Sequence, residues 1–338
     1  MPASSAAWRA RTTPWSSSVR FVNVLPVANR KPCGASVHDK SIGFIGLGVM
    51  GSPMAVNLAR SGAPLTVWSR SPGQYDTLRA AGATVAESVD ALFSQCDIVI
   101  LMLAHEAAID EVLARGTPRF EQRVAGRLIV NMSTTSPGYS RSLGDDIAAS
   151  QGHYVEAPVS GSRKPAEDAQ LVVMLAGPPE HLETVRELVR PMCRETITCG
   201  TVPGALTMKL AVNLFLITMV TGLTEATHFA QRHGIDLAQF AQALNAGPMA
   251  SNVSRVKIDK LVTQDFSVQA AITDVLKNSR LVAEAARDVG IASPLLDVCH
   301  ALYGETEALG HGAIDMVAVI HAIEQRTAGL DRPAPAGQ

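Results

Sequence analysis

The stretch SIGFIGLGVMG, residues 41–51, decides the fold of the N-terminal half of this chain. Its apolar start predicts a buried strand, and Gly46, Gly48 and Gly51 follow with the spacing G-x-G-x-x-G. In such a turn the first glycine permits a tight bend, the second lets the backbone approach a pyrophosphate, and the third lets the next helix pack closely. A glycine-rich turn without a ligand has the same spacing. The order of strand, turn, helix and second strand (65–68) favours a dinucleotide site.

The end of the second predicted strand indicates which dinucleotide is bound. An NAD site usually has an acidic residue about 20 residues after the glycines, where it accepts a hydrogen bond from the ribose 2′-OH. This chain has Ser69, Arg70 and Ser71 instead, and the next acid is Asp76. An arginine offers a planar fork of donors to a phosphate dianion. A solvated loop arginine is the alternative, and we predict NADP rather than NAD.

Composition limits the classes of protein that fit. The chain has 338 residues, 47% hydrophobic and 18% charged, which is typical of a folded protein with room for two domains. The net charge of the whole chain is −2. Residues 1–38 contain five basic and no acidic residues, so residues 39–338 have a net charge of −7. A mildly acidic body argues against nucleic acid as a partner. The five cysteines have no metal-binding spacing with one another or with histidine, so we predict reduced thiols and no metal site.

The first 39 residues are set apart as a leader. Their serine- and arginine-rich composition is typical of a mitochondrial transit peptide, and an over-extended start codon would give the same composition. Both interpretations stay open. We therefore predict a cytoplasmic protein, or one of the mitochondrial matrix if the leader is a transit peptide.

Strand and helix patterns alternate up to about residue 200, and only helical patterns follow. This order predicts an α/β fold: a Rossmann-type doubly wound parallel sheet followed by an all-helical domain. The predicted later strands are 84–85, 97–103, 128–131, 153–156 and 171–175, and the predicted late helices are 205–232, 237–246, 269–289, 294–309 and 313–327. The predicted domains are an NADP-binding domain (40–203), a helical substrate and dimerisation domain (204–328) and a tail (329–338).

Residues 204–223 are nearly all apolar and resemble a membrane span in length. Lys209 and Asn213 lie in the interior of the segment, where a charge would be costly in a bilayer. We therefore predict a core helix buried on every side rather than a membrane helix.

Four segments, the first of which overlaps the glycine turn, carry recognisable sequence motifs along almost the whole chain. They are GLGVMGSPM (46–54), NMSTTSP (131–137), EAPVSGSRKPAED (156–168) and GALTMKLAVN (204–213). In this order they resemble the β-hydroxyacid dehydrogenase family, which includes 3-hydroxyisobutyrate dehydrogenase and tartronate semialdehyde reductase. The third segment looks most like the glyoxylate/succinic semialdehyde reductase branch. The resemblance implies NADP(H)-dependent interconversion of a small carboxylate-bearing aldehyde or ketone and its hydroxy acid.

Lys209 and Asn213 are the candidate catalytic residues. They lie four residues apart and share one face of a helix. Partial burial would lower the pKa of a lysine and suit it to act as general acid in reduction and base in oxidation. A lysine that reaches the surface and a packing asparagine are the alternatives. The resemblance aligns Lys209 with the catalytic lysine of the family, and Asn213 would then align the lysine with the substrate oxygen.

The resemblance also implies which residues surround the reaction. Ser133, Ser160 and Gly161 would bind the substrate carboxylate, with a helix cap and a tight turn as the simpler alternatives. The implied cofactor-binding residues are Gly46, Leu47, Gly48, Val49, Met50, Gly51, Ser69, Arg70, Ser71, Leu103, Ala104, Thr134 and Lys277.

The chain departs from the family pattern at two positions. Lys277 is followed by Asn278 where the family has Asp, and Ala104 replaces the usual proline. Asp274 lies four residues before Asn278 on the same helix face and is placed to substitute for the missing acid.

Two other functions use related folds. One is imine reduction, and the other, from a different class, is a non-catalytic dinucleotide-binding module. Imine reductases generally lack the lysine, as does the non-catalytic relative, so Lys209 argues against both. The apolar helical half predicts a homodimer or homotetramer that associates through the C-terminal helices, with a small carboxylate as ligand and neither nucleic acid nor membrane as partner.

Overall fold

Strands and helices alternate along residues 40–71 and 75–330, which a computed structural model of the chain describes. Residues 1–39 and 331–338 lie outside the described residues, and with them the predicted leader and most of the predicted tail. The strands are β1 (Ile42–Ile45), β2 (Leu65–Trp68), β3 (Thr84–Val85), β4 (Ile98–Leu101), β5 (Leu128–Asn131), β6 (His153–Glu156), β7 (Val159–Ser160), β8 (Leu171–Leu175) and β9 (Cys193–Thr198).

The helices divide into two groups, before and after residue 204. The first group is α1 (Gly51–Arg60), α2 (Tyr75–Ala80), α3 (Val89–Gln95), α4 (Glu106–Leu113), α5 (Arg119–Val124), α6 (Pro137–Ala149), α7 (Arg163–Glu167) and α8 (Pro179–Val189). The second group is α9 (Gly204–Arg232), α10 (Leu237–Ala246), α11 (Asn252–Thr263), α12 (Ile272–Asp288), α13 (Pro294–Thr306) and α14 (Ile320–Leu330). α14 continues two residues into the predicted tail.

The first six strands form one parallel sheet in the order β3-β2-β1-β4-β5-β6. The chain runs outward from β1 in one direction and from β4 in the other, and ligands of such sheets bind where the order reverses, beyond the carboxyl ends of the strands. Ile45 pairs with both Trp68 and Leu101, and Leu101 pairs with Asn131. The ends of β2, β1, β4 and β5 therefore lie side by side.

Both faces of this sheet are buried, which confirms the doubly wound Rossmann-type domain. Ile98 and Ile100 of β4 pack into one hydrophobic core with α1, and Val99 and Leu101 pack into a second core on the opposite face. The prediction that β4 continues to Leu103 is wrong. The strand pairing ends at Leu101, because the chain beyond it turns toward the loop that follows β5.

A second, three-stranded sheet was not expected from the sequence. β7 pairs antiparallel with β8, and β9 pairs parallel with β8. β7 is only two residues long, and none of the side chains of β9 is fully buried, so neither strand carries the apolar signal of a core strand.

The residues after 204 fold into helices around a separate hydrophobic core, which confirms the all-helical C-terminal domain. α11 is an addition, because the predicted helices leave residues 247–268 unassigned. It begins with a capping box in which Ser251 and Ser254 bond each other's backbone N–H groups. The last predicted helix, 313–327, begins instead as a 3₁₀ turn at Met316–Val319 before α14.

Within the single chain α9 is not buried on every side. Met208, Phe215 and Phe229 lie on one exposed face, and Phe215 retains 67% of its accessible surface. By length and composition α9 would also suit a membrane span, a test that core helices of folded proteins pass as well. Its other face packs against α11, α12 and α13.

Candidate active site

The three glycines of the turn between β1 and α1 meet three different constraints. Gly46 has φ +105°, and a Cβ there would run into the carbonyl of Met102. A Cβ on Gly51 would run into the carbonyl oxygen of Gly46. A Cβ on Gly48 would meet no atom of residues 40–71 and 75–330 within 4 Å. The open space beside Gly48 is where a phosphate would approach the backbone, so this turn fits a dinucleotide.

The start of α1 is suited to an anion. The first turn of the helix carries no acidic residue, so the positive end of the helix dipole is not neutralised by a side chain. The hydroxyl of Ser52 donates to the carbonyl of Leu47 at 2.7 Å and ties the turn to the helix. Leu47 is buried, whereas Val49 is exposed at the rim.

The loop after β2 carries the arginine that is predicted to bind the 2′-phosphate of NADP. The phenol of Tyr75 accepts from the backbone N–H of Ser69 at 2.9 Å and donates to the Ser69 carbonyl at 2.8 Å. Arg70 and Ser71 are exposed. Among the described residues, the Arg70 side chain has no hydrogen-bond or ion-pair partner, whereas Asp76 is paired with Arg79. Arg70 is therefore available to a ligand.

Lys277 of α12 reaches the carboxyl ends of β4 and β5. Its amine donates to the carbonyl of Ala104, and to the carbonyl of Thr134 at 3.1 Å. Burial lowers the pKa of Lys277, and the negative charges of Asp274 and Glu106 oppose that shift. The structure thus brings Ala104, Thr134 and Lys277 together, and their binding of the cofactor stays a prediction.

The neighbour of Lys277 departs from the family pattern in a physically visible way. The side-chain carbonyl of Asn278 is buried and has no hydrogen-bond partner within residues 40–71 and 75–330. Asp274 acts electrostatically on Lys277, and its role as a replacement for the missing acid stays a prediction.

Ser133 is at the predicted strand end, but its side chain is turned inward. Its hydroxyl accepts from the backbone N–H of Leu103 at 2.8 Å, and its own N–H donates to the Asn131 side chain at 3.0 Å. Only 1% of its surface is accessible. Ser133 therefore joins the two loops after β4 and β5, and in this structure it does not present its hydroxyl to a ligand.

Ser160 and Gly161 form the end of β7 and the turn after it. Ser160 is half-buried and pairs with Val172. Gly161 has φ +135°, and a Cβ there would lie 2.6 Å from a side-chain carbon of Leu171. A glycine is required at this turn, which leaves the backbone close to the surface beside Ser160.

Lys209 and Asn213 lie on the buried face of α9, the helix that packs against β7 and β8. Only 8% of Lys209 and 4% of Asn213 is accessible. Burial lowers the pKa of Lys209 to about 8. Among the described residues its amine has no hydrogen-bond or ion-pair partner. A buried amine of this kind can both give and take a proton near neutral pH.

Two residues of structural weight around this site were not singled out from the sequence. Glu156 ends β6 and contacts the start of α9, and Tyr75 holds the backbone of Ser69. A carboxylate at the end of an otherwise apolar buried strand is a signal that could have identified Glu156. No sequence pattern distinguishes Tyr75 from an ordinary surface tyrosine.

Comparisons with known proteins match both halves of the chain. Residues 41–201 match the family described as the NAD binding domain of 6-phosphogluconate dehydrogenase, and residues 204–323 match the family described as NAD-binding of NADP-dependent 3-hydroxyisobutyrate dehydrogenase.

Curated relatives of nearly full length are also similar. Glyoxylate/succinic semialdehyde reductase 2, chloroplastic, of Arabidopsis thaliana is 30% identical over 84% of this chain and 79% of the relative. 2-Hydroxy-3-oxopropionate reductase of Escherichia coli (strain K12) is 29% identical over 84% of this chain and 97% of the relative.

A solved structure shares the fold. It is described as 3-hydroxyisobutyrate dehydrogenase (ygbJ) from Salmonella typhimurium, and it superposes with a TM-score of 0.76 at 23% identity, over 84% of this chain and 99% of that one.

Proposed function

Because the chain belongs to the β-hydroxyacid dehydrogenase family and is an oxidoreductase of that family, we propose that it reduces a small carboxylate-bearing aldehyde or ketone with NADPH. The reverse reaction oxidises the corresponding hydroxy acid with NADP⁺. The two reductases among the relatives described above are named for glyoxylate, succinic semialdehyde and 2-hydroxy-3-oxopropionate, all small carboxylates with a reactive carbonyl.

The observation that carries this proposal is the burial of Lys209 without a partner among the described residues. A lysine with no partner among the described residues and a pKa near 8 is costly to fold, because burial disfavours its charge. A proton donor and acceptor at the reacting oxygen is a use that explains the cost. A structural lysine would instead be paired, as Lys260 is with Asp265 at 2.8 Å.

Lys209 has a defined task in each direction. Bound NADPH supplies the hydride that reduces the carbonyl carbon. The protonated amine of Lys209 donates its proton to the carbonyl oxygen as that oxygen becomes a hydroxyl, and in oxidation the neutral amine accepts the proton from the hydroxyl. Asn213, one turn further along α9, orients the same oxygen.

The two loops beside the helix hold the rest of the substrate. The exposed backbone at Gly161 and the hydroxyl of Ser160 bind the carboxylate. Ser133 contributes by fixing the loops after β4 and β5, since its hydroxyl accepts from Leu103 and donates to the carbonyl of Leu101, and its N–H donates to Asn131. On the cofactor side, the open space at Gly48 takes the pyrophosphate, Arg70 binds the 2′-phosphate, and Lys277 and Thr134 lie at the nicotinamide end.

The test is NADPH oxidation by the purified full chain with glyoxylate, succinic semialdehyde and tartronate semialdehyde, beside a cyclic imine. We expect turnover with at least one of the carboxylates and none with the imine. Turnover of the imine alone would identify an imine reductase. NADPH binding without turnover of any carbonyl compound would contradict the proposed reaction.

We also infer that two copies of the chain associate through α9. Met208, Phe215 and Phe229 line the exposed face of this helix over most of its length, and isolated chains rarely expose a row of large apolar side chains. Interfaces between identical subunits are enriched in such residues.

Light scattering of the wild-type chain at micromolar concentration is expected to give the mass of two or four chains. Phe215→Glu would place a charge in the centre of the interface and is expected to yield a monomer. Gln122→Glu, on the exposed surface of α5, adds the same charge in the N-terminal half and should leave the mass unchanged. A monomeric wild type with full activity would contradict this assembly.

The location in the cell depends on residues 1–39, which the structure does not describe. The body of the chain is assigned to the cytoplasm, or to the mitochondrial matrix if the leader is a transit peptide. Imaging of the full chain with a C-terminal fluorescent fusion, beside the same fusion lacking the first 38 residues, distinguishes the two.

A further inference from the structure

A buried carboxylate holds the start of the helix that carries Lys209. Glu156, at the end of β6, has no accessible surface. One of its oxygens accepts from the backbone N–H groups of Ala205 and Leu206 at 3.1 and 3.2 Å, and the other accepts from the hydroxyl of Ser140. The residue before α9, Pro203, makes no side-chain cap. Glu156 therefore satisfies the free N–H groups of this helix from another part of the fold.

The same carboxylate ends a chain of buried hydrogen bonds. Ser140 lies 2.8 Å from the phenol of Tyr154, and the phenol accepts from the side-chain amide of Asn131 at 3.0 Å. The other end of that amide accepts from the N–H of Ser133. Because the hydroxyl of Ser140 donates its only proton to Glu156, the phenol of Tyr154 donates its proton to the oxygen of Ser140. Every donor in the chain thus points toward Glu156.

The two ends of this chain are the two parts of the proposed active site. Ser133 binds the backbone of Leu103 and so fixes the loops after β4 and β5. Glu156 fixes the first turn of α9, and Lys209 lies three residues after Leu206, on the same side of the helix. The Lys209 amine has no partner of its own among the described residues, so its position depends on packing and on the placement of the helix that carries it.

We propose that Glu156 is a positioning residue for Lys209, and that the buried chain Glu156–Ser140–Tyr154–Asn131 couples the helix bearing the lysine to the loop held by Ser133. This role rests on the proposed function, since it takes Lys209 as the proton donor. A misplacement of about 1 Å in a reacting group can cost about 10²-fold in rate, so a fixed helix start has a direct consequence for turnover.

Three donors point at the Glu156 oxygens, an arrangement that suits a carboxylate, and Tyr154 keeps its proton. Burial raises the pKa of Glu156 above its ordinary value, and the hydrogen bonds from Ser140, Leu206 and Ala205 offset part of that shift. Burial and the charge of Glu156 raise the pKa of Tyr154 far above its ordinary value, so the phenol keeps the proton that it donates.

A neutral isostere would break the direction of the chain. In Glu156→Gln the amide nitrogen would face Ser140 and could only donate to it. Ser140 would then have no acceptor at residue 156, so one hydroxyl proton of the Ser140–Tyr154 pair would lose its partner: that of Ser140 if Tyr154 still donates, or that of Tyr154 if the bond reverses. The variant keeps the size of the side chain. It removes the uniform direction of donation in the hydrogen-bond chain that connects the loops after β4 and β5 with α9.

The experiment is steady-state kinetics of the full-length Glu156→Gln variant. We expect kcat to fall about 10- to 100-fold, with NADPH still bound, because the glycine turn at 46–51 and Arg70, which are proposed to bind its phosphates, belong to other elements. Tyr154→Phe cuts the chain in the middle while Glu156 keeps its contacts with α9. It is expected to raise the KM for the carboxylate substrate several-fold and to change kcat less.

Asp97→Asn is the matched control. Asp97 accepts from the backbone N–H and the hydroxyl of Ser41 at 3.0 and 2.7 Å, which resembles the arrangement around Glu156, but at the amino ends of β1 and β4. This variant should lose some thermal stability and keep the wild-type kcat. A Glu156→Gln enzyme that is folded and less stable, with wild-type kcat, would show a purely structural role and overturn the proposal.

Two further measurements keep the result interpretable. If Glu156→Gln does not fold, Ser140→Ala removes one of the three donors and should lower kcat several-fold; wild-type kcat there would also overturn the proposal. Where both fold, Ser140→Ala should cost less in the Glu156→Gln background than in wild type, as expected for coupled residues. Full turnover in Lys209→Met would refute the proposed function itself, whatever Glu156 does.

Discussion

Lys209→Met is expected to lower kcat by about 10²- to 10⁴-fold, the range that a positioned proton donor contributes. NADPH binding, measured by fluorescence titration, should be retained, because the residues that fit the cofactor lie on other elements. Methionine keeps most of the volume of the lysine stem and removes only the amine. Near-wild-type turnover on every active substrate would remove Lys209 from the mechanism.

The same substitution is expected to stabilise the folded chain. Burial lowers the pKa of Lys209 from 10.5 to about 8, so the charged amine is less favourable in the folded state than in the unfolded state by on the order of 3 kcal/mol. This penalty is complete below pH about 8 and disappears as the pH rises toward 10.5. Thermal unfolding at pH 7 should therefore give a higher Tm for Lys209→Met than for wild type.

The pH dependence of the wild type follows from the same group. Reduction needs the protonated amine, so its kcat/KM should fall as the pH rises through about 8, and the kcat/KM of oxidation should rise over the same range. Lys260→Met is the control, because Lys260 is also buried but is paired with Asp265 and Ser267. It should lose stability and keep both the turnover and the pH limbs.

Arg70→Asp is expected to reverse the cofactor preference. The substitution removes the donors proposed for the 2′-phosphate, worth about 1.5–3 kcal/mol for hydrogen bonds to a charged group, and adds an acceptor for a free 2′-OH. The loss of these donors alone should lower the ratio of kcat/KM for NADPH to kcat/KM for NADH by about 10- to 100-fold. The measurement is kcat/KM with both cofactors at a fixed substrate concentration.

Arg141→Asp makes the same change of charge on the exposed surface of α6 and should leave that ratio unchanged. If wild type uses NADH as efficiently as NADPH, the assignment of Arg70 to the 2′-phosphate is wrong. The oxidoreductase activity and the role of Lys209 would be unaffected by that outcome.

The fold was predictable wherever one segment carries its own signal. Residues 41–51 combine an apolar strand with glycines whose spacing has a steric cause, and the structure shows that cause at Gly46 and Gly51. The runs of apolar residues in β4 and β5 similarly predict strands that are buried on both faces. Lys209 stood out because a charge within an apolar helix has a cost that can be recognised without coordinates.

The parts that escaped prediction depend on contacts between distant segments. β9 is a strand only because β8 provides its partner, and its half-exposed side chains show no period of two. Glu156 and Ala205 are far apart in the chain, so the capping of α9 has no local pattern. The inward turn of Ser133 was missed for the same reason, since its partner Leu103 lies in another loop.

The three glycines of the first turn also differ in what would preserve them during evolution. The fold itself requires glycine at Gly46 and Gly51, because neighbouring backbone atoms occupy the space of a side chain. No atom of the described residues requires it at Gly48, where a ligand would fill that space. A descendant that kept this architecture but abandoned its cofactor would be free to replace Gly48 first. The residue at position 48 would then record the loss of the nucleotide before any change in shape did.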